Sequence, residues 1–442
     1  MGTRFKIFGQ PPFESPQVLP EVITVSSPAG SLGPGPSDDR MYVVTPVGKK
    51  YAYGMNSGPL GTPFIYLPPW NGERLVSACP NAAGHFDHYQ PGSPEFEAAH
   101  LFGSVRFTLD VWERYLGQPL DWHFRDHFDR LEISVLSKWD NAQYGYGFLE
   151  TGSQFEPDGR VLPFSLDFDV IAHEVGHAIV YAIVGVPHPD TELPEYLGFQ
   201  ESAADCVSLI AAMHFPSLID NVLTETRGNL YLFNRLARFS EFSPHRQMRM
   251  ASNQLTMRQF IHGWTDEHAL AQPLTGAMFD VLVDVFHESL VARGLISTEF
   301  ENLADMLEFG SARNPLIQDA FDAAYARNAA GFREALIDAR DIVGQYLAEV
   351  IWRLDVHFLD YRKVAELLFR IDREKSAGAL HGILQRNLSR RGIGRLSAGP
   401  KIHAHVGIGH AHSDRILLPH DKNDLPKMSY REQHVLNKQL IA

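Results

Sequence analysis

His173, Glu174 and His177 stand as H-E-x-x-H inside the apolar run 171–180. On a helix, positions i and i+4 lie one turn apart on one face, so both imidazoles can reach one metal ion. Glu174 then sits beside that ion, where a carboxylate can take a proton from a bound water. The motif is short enough to arise by chance, so its surroundings must carry the argument. Two imidazoles leave Zn²⁺ short of a third protein ligand. A histidine further along the same segment would need Gly at 180 and His at 183, where Val180 and Ile183 stand, and that solution is removed. The other solution is a carboxylate from a later helix. In the stretch 198–205, Glu201 and Asp205 share one helical face. Glu201 is the candidate third ligand. Asp205 is suited to accept the N–H on the non-ligating nitrogen of a zinc-bound His, which fixes the ring and raises its basicity. Two carboxylates at i and i+4 repel unless a cation lies beside them, and Zn²⁺ supplies it. An ordinary acidic first turn also accounts for Glu201. It accounts poorly for Asp205, because Ala203, Ala204, Cys206 and Val207 give the helix a buried character.

The elements that must hold these residues are readable from spacing. Residues 1–40, rich in Pro, Gly and Ser, are expected to form an irregular arm. Residues 41–165 read as a mixed α/β lobe. Within it lie short β-like runs over 41–66, a helix over 94–116 stopped by Gly117, a strand over 131–136 and an aromatic, Gly-rich edge strand or loop over 139–150. Residues 166–395 read as a helical lobe carrying the metal site. Its first helix spans about 167–184, with Asp167 or Asp169 at its start and Gly185 and Pro187 after its end. A second spans about 198–214, and others are expected near 228–238, 274–293, 316–327, 330–353 and 360–388. Residues 396–442 read as an extended His-rich tail. His403, His405, His410 and His412 share faces of an extended chain in pairs. They fit a solvated tail, a second metal site, or a segment that docks in the cleft.

The run 169–177 followed by Gly198, Glu201 and Asp205 resembles the thermolysin-like gluzincin zinc peptidases. The resemblance covers roughly residues 95–290. It implies an α+β fold of two lobes, β-rich and then mainly helical, with one catalytic Zn²⁺ in the cleft between them. It further implies that Asn141 and Ala142, with Trp139, Asp140, Tyr144 and Gly145 around them, form an edge strand that binds the substrate backbone. His268, oriented by Asp266, is similar to the family's oxyanion-stabilising His, ahead of His262 and His287. Arg249, with Arg246 as alternative, matches its substrate-carbonyl Arg, and Tyr196 matches a Tyr near the third ligand. Val170 and Met248, adjacent to matched positions, would line an apolar pocket for the residue after the scissile bond. Asp169 matches a calcium ligand, but Ala212 and His214 stand where further acidic residues belong, so a double calcium site is not expected.

The whole composition narrows the class. The net charge of −14 argues against nucleic acid and anionic membranes as main partners. Two cysteines, Cys79 and Cys206, do not make a disulfide scaffold. The first residues lack the pattern of a secretory leader, and a cytoplasmic location is the expectation. No uninterrupted apolar run of about 18 residues occurs, so no membrane span is expected. The leading reading is a zinc endopeptidase acting on peptide or protein substrates. The alternatives are an aminopeptidase or narrow amidase of the same fold, and a non-catalytic zinc-stabilised interaction protein. Glu174 speaks against the last, since a purely structural site has no use for it.

Overall fold

The computed structural model describes residues 2–13, 18–58, 62–136, 139–243, 246–306 and 314–402, with backbone alone over 238–250 and 304–306. The fold is mixed α+β. β1 (Gly2–Ile7) and β2 (Glu21–Pro28) pair antiparallel, where composition led us to expect irregular chain. The alternation of Phe5 and Ile7 with polar neighbours gives β1 one buried face, which packs on the helix α1 (Pro94–Leu116). Ser93 caps α1 by accepting from the Phe96 N–H, and Gly117 ends it at φ 74°.

The main sheet joins β3 (Met41–Val44), β6 (Leu131–Val135), β7 (Ala142–Gly145) and β8 (Phe148–Thr151) in the order β3-β6-β8-β7. β3, β6 and β8 run parallel, and β7 is antiparallel to β8 at the sheet's edge. A separate hairpin, β4 (Gly54–Ser57) with β5 (Pro63–Tyr66), lies between β3 and α1 in the chain. The edge strand is anchored from below. The buried Glu150 of β8 accepts from Gln143 of β7, from the Tyr53 N–H and from the Lys49 ammonium. Burial pulls the Lys49 ammonium below its ordinary value, and Glu150 opposes that shift. β9 (Ser153–Phe155) and β10 (Val161–Pro163) then form the last hairpin before the helical part.

The helical part begins with α2 (Phe168–Ile183), α3 (Pro194–Ala212) and α4 (Pro216–Thr226). The stretch 228–238, whose apolar spacing suggests a helix, is instead turns and a short 3-10 helix (Arg235–Ala237) leading into the two-stranded ribbon β11 (Arg238–Ser243) and β12 (Arg246–Met250). After it lie α5 (Glu267–Ala292), α6 (Thr298–Met306), α7 (Pro315–Arg327) and α8 (Ala329–Arg353). The expected single helix 360–388 is two, α9 (Tyr361–Ser376) and α10 (His381–Arg390). The break is local: Ala377 and Gly378 both take positive φ. Pro194 opens α3 a turn earlier than expected, so Glu201 lies well inside the helix.

One apolar core runs from Phe5 to Ile393, through the sheet and the helices alike. At its centre α3 packs between α2 and α5, which is why Glu195–Ala212 are buried on every face. α5 is long and apolar enough to cross a membrane by composition, yet its apolar stretch is almost wholly buried within the fold. It is apolar all round because protein surrounds it. His403–His412 lie outside the described residues.

Candidate metal centre

α2 carries the first two candidate ligands. Its start is set by Asp167, whose carboxylate accepts from the N–H groups of Asp169 and Val170. From there Val170, His173, Glu174 and His177 fall at three-to-four spacing on one stripe. His173, Glu174 and His177 are all buried.

The opposing surface comes from α3, and Gly176 sets how close it comes. A Cβ on Gly176 would lie 2.5 Å from the Ala204 Cα, a backbone atom that cannot step aside. The missing side chain lets the two helices touch between the ligand pairs, so Glu201 and Asp205 straddle the contact and face the histidines. His173 Nε2 lies 3.4 Å from Glu201 Oε2, and His177 Nε2 lies 3.8 Å from Glu201 Oε1. One ligand atom from each of His173, His177 and Glu201 lies within 4.8 Å of the others, a grouping of three buried donors.

Each imidazole is oriented by its other nitrogen. His173 Nδ1 donates to Asp205 Oδ1 at 3.0 Å, and Asp205 Oδ2 accepts from the Thr275 hydroxyl of α5 at 3.3 Å. His177 Nδ1 faces Gln200 Oε1 at 3.5 Å. Asp205 therefore stands where the sequence suggested. Gln200 and Thr275 had not been singled out. Gln200 precedes Glu201 and was hidden by it, while Thr275 belongs to a helix whose packing on α3 no local pattern announces.

The remaining expectations divide. His268 reaches the centre: its Nδ1 donates to Glu201 Oε2 at 2.7 Å, with the ring 40% exposed. Asp266 acts on the backbone, capping α5 by accepting from the His268 N–H at 3.0 Å. His262 is exposed, and His287 is buried in α5 against the Gly228–Leu230 backbone. Tyr196 is wholly buried; its hydroxyl donates to the Gly185 carbonyl and accepts from Gln200 Nε2, both at 2.8 Å. That hydroxyl steadies Gln200, which in turn faces His177. Val170, Phe164 and Ala142 form a small apolar cluster one turn before His173, and Asn141 immediately precedes β7. Arg249 and Met248 stand on β12, with Arg249 opposite Phe239, but their side chains lie outside the described residues.

The electrostatics suit a cation. Burial alone would raise the Glu201 carboxyl. The facing His268 and His177, with hydrogen bonds from His173 and His268, outweigh burial and hold it well below the usual carboxylate range. An ionised carboxylate is the form in which Glu201 would ligate a metal. Two neutral imidazoles and one carboxylate are a borderline-soft donor set that fits Zn²⁺. The Nε2–Oε2 separation also fits, since ligands about 2.1 Å from a tetrahedral ion sit about 3.4 Å apart. Asp205→Asn removes an acceptor while keeping shape, so zinc affinity is expected to fall about 10–100-fold. Competition with a chelating dye measures it, and unchanged affinity would mean Asp205 does not act through His173.

No protein-family model matches the chain, and no curated protein matches it. Among solved structures it is similar to the precursor of protealysin, a metalloproteinase from Serratia proteamaculans. The TM-score is 0.35 and the identity 11%, over 73% of this chain and 90% of that one. A likeness of that degree carries no argument about activity, which rests on the centre itself.

Proposed function

We propose that this protein is a zinc-dependent endopeptidase of the thermolysin-like type, built as a β-rich and a helical lobe with the centre in the cleft between them. The observation that carries the reading is the convergence of His173, His177 and Glu201, with Asp205 behind His173 and the carboxylate Glu174 buried between the two histidines in sequence. A structural zinc site needs the ligands and has no use for Glu174.

His173, His177 and Glu201 would hold the ion. Bound there, Zn²⁺ would supply polarisation of the scissile carbonyl and a water whose pKa is lowered toward ~7. Glu174 takes the proton of the attacking water and later delivers it to the leaving amine. Asp205 and Gln200 keep the two imidazoles in the tautomer that presents Nε2. His268, at the partly exposed edge of the centre, donates to the developing oxyanion, and Arg249 joins it from β12. Asp266 sets the start of the helix that carries His268. The substrate adds as a strand beside β7, bonding to the Asn141 and Ala142 backbone. Val170 and Met248 line the pocket for the residue after the scissile bond.

The test is a zinc-loaded sample incubated with an unbiased peptide library, products read by mass spectrometry. Internal cleavage is expected. Stoichiometric zinc with no cleavage would overturn the enzyme, and release of single N-terminal residues would overturn the endopeptidase. In the same assay His268→Ala is expected to lower kcat about 10²–10³-fold with zinc content unchanged, the cost of losing one oxyanion donor.

A further inference from the structure

Away from the metal centre, three helices and the turn after α3 line a half-open cavity of about 270 Å³. Its wall carries Arg114 and Tyr115 from α1, His214 after α3, Arg340 and Asp341 from α8, and Lys375 from α9. Three cations face one space in a chain whose net charge is −14. The volume is just below the roughly 300 Å³ at which small-molecule sites begin.

Two of the cations have occupations within the fold. Arg340 donates to the Met213 carbonyl at the end of α3 and pairs with Asp341, and Lys375 pairs with Glu349. Glu349 divides its charge between Lys375 and Arg353. Arg114 makes no hydrogen bond or ion pair with any described residue, although it lines the same cavity. The charges act on one point. His214 is pushed down to about 4 by burial, then by the charge of Arg340, with Arg114 adding to it, so its imidazole is neutral and adds no cation of its own.

The cavity's floor is built to a fixed shape. Tyr115 donates to Asp341 at 2.7 Å, which satisfies one oxygen of the lone lining carboxylate. The Tyr115 ring lies over Gly344 of α8, where a Cβ would come within 2.8 Å of it. A glycine inside a helix costs about 1 kcal/mol against alanine elsewhere, and here it is what lets the ring lie flat on α8.

We propose that this cavity is a binding site for a small oxyanion, a phosphate- or carboxylate-bearing molecule held by Arg114, Arg340 and Lys375. Planar guanidinium groups match the geometry of such oxygens, and the ammonium adds a point charge. The site is separate from the metal centre. Glu201 lies near the middle of α3 and His214 two residues past its end, and the helix from Glu201 to Ala212 alone spans about 17 Å at 1.5 Å per residue.

The probe is inorganic phosphate, with sulfate and succinate as parallel arms, read by thermal melting against sodium chloride of equal ionic strength. A saturable rise in Tm beyond the chloride control is expected, and the arm with the lowest half-saturation names the oxyanion class. Arg114→Gln, at an exposed position without a hydrogen-bond or ion-pair partner among the described residues, should fold normally and weaken phosphate binding about tenfold or more. Lys375→Gln should weaken it in the same direction. The proposal is overturned if chloride gives the same rise, or if Arg114→Gln binds phosphate as wild type does. It is also overturned if the response disappears when the protein is stripped of metal with EDTA, which would put the anion at the metal centre.

Discussion

Glu174→Gln is expected to keep its zinc and lose its activity. The amide has nearly the shape of the carboxylate, and Glu174 is not among the three grouped donors, so metal content should equal that of wild type. A glutamine cannot accept the proton of the attacking water. General-base contributions of this kind amount to about 10²–10⁴ in rate. Both quantities are read on one sample, zinc by atomic absorption and cleavage by the library assay. A variant that retains full activity would remove Glu174 from the chemistry. A variant that loses zinc would make it a ligand, and the three-donor description would be wrong.

The second large effect comes from a residue that touches neither metal nor substrate. Gly176→Val places a branched side chain where even a single carbon would lie 2.5 Å from the Ala204 backbone. Valine inside a helix recovers a few tenths of a kcal/mol relative to glycine. Overpacking at a backbone contact costs about 1–3 kcal/mol, occasionally more, and that term wins. α3 must move away from α2, which carries Glu201 and Asp205 away from His173 and His177 together. We expect a lower Tm and a loss of zinc affinity larger than that of Asp205→Asn, because three interactions are stretched at once. Chelator competition and thermal melting measure the two consequences separately. Melting and zinc binding like those of wild type would show that this close approach does not set the ligand geometry.

Wholly local signals were readable from the chain. The i,i+4 spacing of His173 with His177, and of Glu201 with Asp205, put each pair on one face because helix geometry alone dictates it. Asp167 at the start of α2 and Gly117 at the end of α1 are short-range hydrogen-bond and backbone effects, and both behave as their residue types require. The Gly-rich, aromatic stretch 139–150 reads as an edge strand or loop, and the structure places Ala142–Gly145 as the edge strand β7.

Local signals failed where the deciding contact is distant in sequence. The arm before residue 40 contains a paired β1 and β2 because α1 offers an apolar surface some seventy or more positions later. The 228–238 stretch has helical apolar spacing but folds as turns and a short 3-10 helix before β11, with Asn234 Nδ2 donating to the carbonyls of Leu230 and Leu232. The resemblance put His268 ahead of His262 and His287, but its contact with Glu201 is made between α5 and α3, sixty-seven positions apart, and no local pattern announces it. Tyr196 was matched only through the resemblance, and the bonds of its hydroxyl to the Gly185 carbonyl and Gln200 are set by packing rather than by any local pattern.

The chain by itself determined which residues could bind zinc and on which helical faces they lie, because a helix converts spacing into direction within one turn. The tertiary structure decided that those faces meet at Gly176 and Ala204, which imidazole nitrogen each neighbour claims, and that Arg114, Arg340 and Lys375 share one cavity. Such facts depend on how separate elements pack, and no periodicity within a single element encodes the distance to another.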